Sequence, residues 1–404
     1  MPTIPLTSGN DILWVGEGPK VRANNGPSLS WNDQAYDGLA GFDTFVVNES
    51  STKFSYFTVS MSNDAVVTLT AASGSGSKSV SIANFEKISF WDVTMYLGSA
   101  GNDKLTGTTS VESIYGFDGN DTIVGGSGTD KMFGGRGNDT YAVDSQSEIV
   151  TEKSGEGTDT VQSAVSYSLA DTDGGGVNGD NIENLELTGS AKINGTGNAL
   201  DNVLIGNSGV NILTGGLGND TYVVNLTADT VKEIASGGKD LVKSSASFTL
   251  SANVEDLTLT GTAAIDGTGN SADNLIVGNK AANVITGGQG RDVMKGGAAA
   301  DTFDFNSVKE TLATAAHDLI NDFKHLADHI DLSTIDADTT VAGNQSFSFL
   351  DVLGSEFSGS AGELRFVADG QNIIIEGNVD NDLAAEFQIE LTGKIGLTMD
   401  DFIL

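Results

Sequence analysis

Aspartate recurs along this chain at a spacing that offers a metal ion many oxygens. Between Gly98 and Ala142, Asp103, Asp121, Asp130 and Asp139 each stand sixth in a nine-residue unit that begins with glycine. Asp220, Asp292 and Asp301 hold the same place in later units, and Asp43 holds it in an isolated earlier one. Carboxylates set among glycine-rich backbone supply oxygen ligands and neither sulfur nor imidazole. That donor set suits a hard cation such as calcium, which takes about six to eight oxygens from carboxylates and carbonyls.

The elements that position these aspartates cannot be helices. A nine-residue step is about 2.5 helical turns and would scatter the apolar residues around the axis. The eighth place is nonetheless apolar in every unit of the first run, at Leu105, Ile114, Ile123, Met132 and Tyr141. Six residues of turn followed by a three-residue strand satisfy the pattern, with the eighth side chain inward and its neighbours outward. Two units then complete one coil, and each turn lies over the turn eighteen residues earlier. Asp103, Asp121 and Asp139 fall on one edge at that spacing, and Asp130 falls on the other, over the degenerate unit holding Glu112.

Runs of the unit span 98–142, 197–223 and 269–304. A longer period lies over them: INGTGNALDN at Ile193 returns as IDGTGNSADN at Ile265, 72 residues on, and NDTY at Asn138 returns at Asn219, 81 residues on. The difference falls at the insertion Ala170 to Asp180. Between runs, SAVSYSL with NIENLELTG and SASFTL with NVEDLTLTG have the alternation of strands. Asn202, Asn211, Asn274 and Asn283 replace the aspartate, and these turns are expected to lack metal and to build amide ladders instead.

Composition narrows the partners. The net charge of −35 disfavours nucleic acid and anionic membranes, and it opposes compaction unless cations bind. With no cysteine there are neither disulfides nor thiolate sites. No run of apolar residues is long enough to span a membrane, and the opening residues lack the basic and apolar regions of a Sec signal. A hydrophobic content of 38% separates the chain from disordered acidic tails. Residues 1–97 alternate like strands and hold Trp14, Trp31 and Trp91, which read as core rather than as a binding platform. Residues 98–305 form the repeat array, and 306–404 a β-rich end with one short helix expected near 312–323, from Leu312, Ala316, Leu319, Ile320 and Phe323.

In G-G-x-G-x-D-x-U-x form, the unit resembles the RTX (repeats-in-toxin) family of hemolysin-type calcium-binding proteins. The resemblance implies an all-β fold, a parallel β-roll or β-solenoid, holding several Ca2+ between stacked turns. Its ligands would be Asp103, Asp121, Asp130, Asp139, Asp220, Asp292, Asp301 and Asp43, with Gly116, Gly119, Gly125, Gly128, Gly134, Gly137, Gly215, Gly218, Gly287 and Gly290 in the metal-binding turns. The stretches HDLINDFKHLADHIDLSTIDA, GNQSFSFL, FSGSAGELRF and DDFIL resemble the C-terminal region of serralysin-type proteases. That likeness implies a type I secretion channel as a partner during export, an extracellular location, and an export signal at Asp400, Asp401 and Phe402 to Leu404.

No catalytic motif accompanies the array. His325 and His329 are four apart, but Leu326 stands where H-E-x-x-H needs glutamate, and no G-x-S-x-G occurs. The expectation is a secreted calcium-binding protein that is not an enzyme and has a structural, matrix or adhesion role. A polysaccharide-modifying enzyme or its accessory module is the alternative, with extracellular polysaccharide or a cell surface as partner, and a host-directed effector is the third reading.

Overall fold

The computed structural model describes residues 94–170, 181–314 and 316–404 in full and, of residues 1–93, the backbone of the strands. Asp43, Trp31 and Trp91 lie outside the described residues, and Trp14 is described only as backbone in the strand Ile12–Gly16. The chain divides into two units, Met1–Thr188 and Gly189–Leu404.

In the first unit the nonapeptides coil into a parallel β-solenoid. Lys104–Thr106, Thr122–Val124, Thr140–Val143, Thr160–Ser163 and Asn184–Leu187 stack on one side, with Leu105, Ile123, Tyr141, Val161 and Leu185 in register. Thr94–Leu97, Glu112–Asp118, Lys131–Arg136 and Ile149–Thr151 stack on the other, with Tyr96, Ile114, Met132 and Val150 in register. A three-residue strand can turn only its middle side chain inward, so Ile114, Ile123, Met132, Tyr141, Val150 and Val161 are fully buried and form the core. The coils continue past the last nonapeptide, because Val161 and Leu185 keep the inward apolar place in register with Tyr141. Towards the start of this unit, Phe57–Met61, Val66–Ser73 and Gly76–Ala83 pair as an antiparallel meander.

The second unit repeats the plan. Leu204, Tyr222, Val242, Leu257, Ile276, Met294 and Ile320 lie in register along one parallel stack. Ile285, Phe303, Ile330 and Phe402 lie in register along the opposite one. A parallel stack ends in an open edge that would pair with other chains. Here the antiparallel strands Glu363–Asp369, Asn372–Asn378 and Phe387–Leu391 cover it, the last pairing with Asp318–Ile320.

The helix expected at 312–323 is absent. Residues 318–320 form a strand in which Asp318 and Ile320 are buried, while Leu312 is 47% exposed. The segment is drawn into the stack because Asp292 N–H donates to Asp318 Oδ1 at 2.8 Å and Asp318 N–H donates to Thr311 Oγ1 at 3.0 Å. Those bonds continue the β coil, and the apolar spacing of 312–323 alone does not outweigh them. Among the described residues the only helical segment is the 3-10 turn Met399–Asp401, and no helix is long and apolar enough to cross a membrane.

Candidate metal sites

Stacking turns eighteen residues apart builds a ladder of carboxylates. In each rung one aspartate oxygen accepts the backbone N–H of the preceding rung: Asp103 N–H to Asp121 Oδ1 at 2.8 Å, Asp121 N–H to Asp139 Oδ1 at 2.7 Å, and Glu112 N–H to Asp130 Oδ1 at 2.8 Å. In the second unit Asn202, Asn274 and Asn283 donate likewise to Asp220, Asp292 and Asp301. The bond holds each side chain inside the turn. The other oxygen is left over, and Oδ2 of Asp121, Asp130, Asp139, Asp220, Asp292 and Asp301 is buried with no hydrogen-bond partner.

A buried acceptor without a donor costs about 1–3 kcal/mol, and more when charged. Each such orphan in a native fold calls for a partner, and ionised carboxylate oxygens suit a cation. Burial pushes these carboxyls up, to about 7 for Asp121 and Asp292 and about 6 for Asp130, Asp220 and Asp301, and raises Asp139 as well. The N–H bonds along the ladder lower these values without offsetting the burial.

The glycines make the room. A methyl group on Gly116 would lie 2.7 Å from the Gly134 carbonyl oxygen and closer still to Asp121 Oδ2, so one small space is lined by a carbonyl and a carboxylate. On the other edge a methyl on Gly125 would lie 3.1 Å from both Asp130 Oδ2 and Glu148 Oε1, two orphan oxygens from successive coils. Gly134, Gly215 and Gly287 stand against Asp139, Asp220 and Asp292 in the same way. Gly119, Gly128, Gly137, Gly218 and Gly290 have a different task, since each has positive φ, for example 118° at Gly119. Buried orphan oxygens and carbonyls around a space kept open by glycine fit Ca2+.

Not every turn is equivalent. Asp103 is half-buried, and its Oδ2 accepts from Ser99 N–H at 2.6 Å and Ser99 Oγ at 2.8 Å, so a serine in the second place satisfies the oxygen that is free elsewhere. Thr108 does the same for Glu112. In the asparagine turns the side-chain NH2 takes the cation's place: Asn211 Nδ2 donates to the Ile193 carbonyl at 2.6 Å, Asn283 Nδ2 to the Ile265 carbonyl at 2.5 Å, and Asn274 Nδ2 to Val254 and Glu255 carbonyls at 3.1 Å. An amide can thus donate to carbonyls that a metal would otherwise draw, although Asn211 Oδ1 is itself buried with no hydrogen-bond partner and Asn202 Nδ2 donates to Asn198 Oδ1 at 3.1 Å.

The family model for the RTX calcium-binding nonapeptide repeat matches residues 106–141, 196–231 and 268–303, which include the orphan oxygens of Asp121, Asp130, Asp139, Asp220, Asp292 and Asp301. These three runs are RTX calcium-binding nonapeptide repeats. Endo-1,3-1,4-beta-glycanase ExsH of Rhizobium meliloti is 38% identical over 81 residues, which is 20% of this chain and 17% of the glycanase. The chain thus spans about a sixth of that relative's length. The AlgE6R3 subunit of the Azotobacter vinelandii mannuronan C5-epimerase aligns over 38% of this chain and 80% of that subunit, with 25% identity and a TM-score of 0.27.

The RTX ladder reaches beyond the motif into residues that the nonapeptide pattern does not assign. Asp139 N–H donates to Asp159 Oδ1 and Asp159 N–H to Glu183 Oε2, both at 2.8 Å, although the steps are 20 and 24 residues. Asp220 N–H donates to Asp240 Oδ1 and Asp240 N–H to Glu255 Oε2, again at 2.8 Å. Asp240 and Asp318 have orphan Oδ2 atoms, Glu148 and Glu152 have orphan Oε atoms, and burial pushes Asp318 and Glu152 up to about 8. The one signal that could have located Asp159 and Asp240 is their shared distance of 20 residues from the NDTY aspartates. The loop cluster Asp380, Asp382 and Glu386 differs, because its oxygens accept N–H groups of their own loop and it is partly exposed.

His325 Nδ1 lies 2.9 Å from both oxygens of Asp401, while His329 sits in the strand His329–Asp331.

Proposed function

We propose that this chain is a secreted RTX protein which folds when calcium fills its turns and then serves outside the cell as a structural, matrix or adhesion element without catalysis. The observation that carries the reading is the set of buried carboxylate oxygens with no donor, spaced along the stacked turns. Calcium supplies the missing positive charge. The cell interior is poor in free calcium and the exterior rich in it, so such a chain passes a secretion channel unfolded and closes on arrival. Support for export comes from the serralysin-like end. The test is secretion of the full chain and of a chain lacking residues 400–404, and equal accumulation outside cells removes the export assignment.

A second reading is an accessory module of a polysaccharide-acting enzyme, favoured by the stretch shared with the glycanase. Calcium-loaded protein incubated with a panel of extracellular polysaccharides separates the two. Retention without cleavage supports adhesion, and released products support an enzyme.

A further inference from the structure

Among the described residues, each unit has one place where the RTX ladder gathers three carboxylates instead of two. In the first unit it is Asp139, Glu152 and Asp159; in the second it is Asp220, Glu233 and Asp240; in both, one oxygen from each residue lies within 4.8 Å of the others. The two clusters are the same construction displaced by 81 residues, since the glutamate follows the NDTY tyrosine by eleven and the second aspartate follows the first by twenty. Both stand where a nonapeptide run ends and a longer coil begins, so the glutamate arrives from a turn that the repeat pattern does not describe.

The surroundings set these clusters apart from ordinary turns. Tyr141, wholly buried, donates its hydroxyl to Glu152 Oε1, and Tyr222 donates to Glu233 Oε1. Gly134 N–H and Gly135 N–H also donate to Glu152 Oε1, at 3.1 and 3.3 Å, and Gly216 N–H donates to Glu233 Oε2 at 3.3 Å. Glu152 is therefore fixed by donors on Oε1 alone, whereas both oxygens of Glu233 accept, Oε1 from Tyr222 and Oε2 from Gly216 N–H and from Ile234 N–H at 3.2 Å. Glu152 is 6% exposed, Asp139 1% and Asp240 1%, and Glu152 Oε2, Asp139 Oδ2, Asp220 Oδ2 and Asp240 Oδ2 have no partner. A methyl on Gly134 or Gly215 would strike the aspartate Oδ2, the tyrosine hydroxyl and the glutamate Oε1 together, so all three groups border one space. The nearby lysines are engaged elsewhere, Lys153 with Glu156 and Lys239 with Asp256.

We infer that these two clusters are a separate, tighter class of cation site, one per unit, taking Ca2+ ahead of the ordinary turns and taking trivalent lanthanides more tightly still. The inference rests on the calcium reading above and ranks sites within it. Three carboxylates around one ion supply more negative charge than the one or two of a simple turn, and ligand charge is a principal control of calcium affinity. The tyrosines hold the glutamates and report the ion, because a tyrosine beside a bound Tb3+ transfers its excitation to it.

The experiment titrates the full chain with Ca2+ by calorimetry and with Tb3+ by tyrosine-sensitised luminescence, for wild type, Glu152→Gln, Glu233→Gln and the double variant Tyr141→Phe/Tyr222→Phe. Wild type should show a first class of two equivalents, one for each cluster. Each glutamine variant should weaken one of them by at least about tenfold while the later calcium class remains. The phenylalanine variant should lose most of the sensitised emission and weaken the first class, since the hydroxyl that holds each glutamate is gone, while the later calcium class remains. Unchanged tight binding in both glutamine variants overturns the assignment, as does loss of both equivalents in either one, or full emission without the tyrosines. Calcium uptake with no tight class overturns this inference alone, whereas no uptake of either ion overturns the calcium reading with it.

Discussion

At the scale of single residues, function depends on which atom completes each turn. The repeat made the sixth-place aspartates legible, because carboxylates returning at a fixed step beside glycine would only repel one another without a cation between them. It did not make legible that Asp103 is satisfied by Ser99, since that depends on a hydroxyl in the second place reaching an oxygen four residues on. The amide ladder of the asparagine turns was readable in outline, and its partners were not. Two variants follow from the chemistry. Gly116→Ala places a methyl in the space between Asp121 Oδ2 and the Gly134 carbonyl without touching a carboxylate's charge. It should abolish calcium uptake at that turn and cost about 1–3 kcal/mol through overpacking, seen as lower stoichiometry in calorimetry and earlier denaturant unfolding; wild-type stoichiometry would put the ion elsewhere. Asn283→Asp removes the amide donated to the Ile265 carbonyl and leaves a charge in its place. The variant should be less stable than wild type without calcium, by about 1–3 kcal/mol, and should recover most of that loss in millimolar calcium. A deficit that calcium does not narrow would show that asparagine turns cannot be converted.

At the scale of elements, the short strands and their inward residues were readable because the period was strict, whereas the end of the chain was not. The apolar spacing of 312–323 suited a helix, yet hydrogen bonds from Asp292 and to Thr311 fixed a strand there, and those partners lie far away or depend on tertiary packing. The last strand, Phe402–Ile403, pairs with Ile330 and Asp331 and is held by Asp401 just before it. Asp401 is buried and accepts from Leu326 N–H at 2.9 Å, from Thr398 N–H at 2.7 Å and from His325. Burial would raise its carboxyl, but the Leu326 and Thr398 bonds together with His325 outweigh that and hold it below the usual carboxylate range. A depressed carboxylate contributes stability that is present above its unfolded value and lost as pH falls through the folded one. In saturating calcium the thermal stability gap between wild type and Asp401→Asn should therefore be full near neutrality and shrink below about pH 4. A gap that stays constant or widens on acidification would contradict this account of the latch.

At the scale of the whole molecule, the balance is between a net charge of −35 and the compactness that stacking demands. Without metal, folding buries carboxylates that water would otherwise solvate, and their raised values show the cost: about 7 for Asp121, Asp159 and Glu148, and about 8 for Glu152 and Asp318. A carboxyl raised in the folded state binds its proton more tightly there than in the unfolded chain. Its burial is then least unfavourable below the unfolded value, near pH 4, and stability falls as pH rises towards about 8. The metal-free chain should accordingly hold more β structure at pH 5 than at pH 8. Calcium inverts the dependence, because it binds the ionised form, and an ion at a thousandfold excess over its Kd contributes about 4 kcal/mol per site. Several such sites match the roughly 5–15 kcal/mol that separates folded from unfolded states in ordinary domains. Far-ultraviolet circular dichroism in calcium-stripped buffer, then in millimolar calcium, at both pH values checks the argument. The expected result is partial β structure at pH 5 and little at pH 8 before calcium, full β structure at both afterwards, and a lower calcium midpoint at pH 8. Magnesium at equal concentration should not substitute, since it demands near-octahedral geometry and gives up its waters reluctantly. A metal-free spectrum that is already complete at pH 8 would falsify the calcium switch, and one identical at the two pH values would show that carboxylate burial does not control folding.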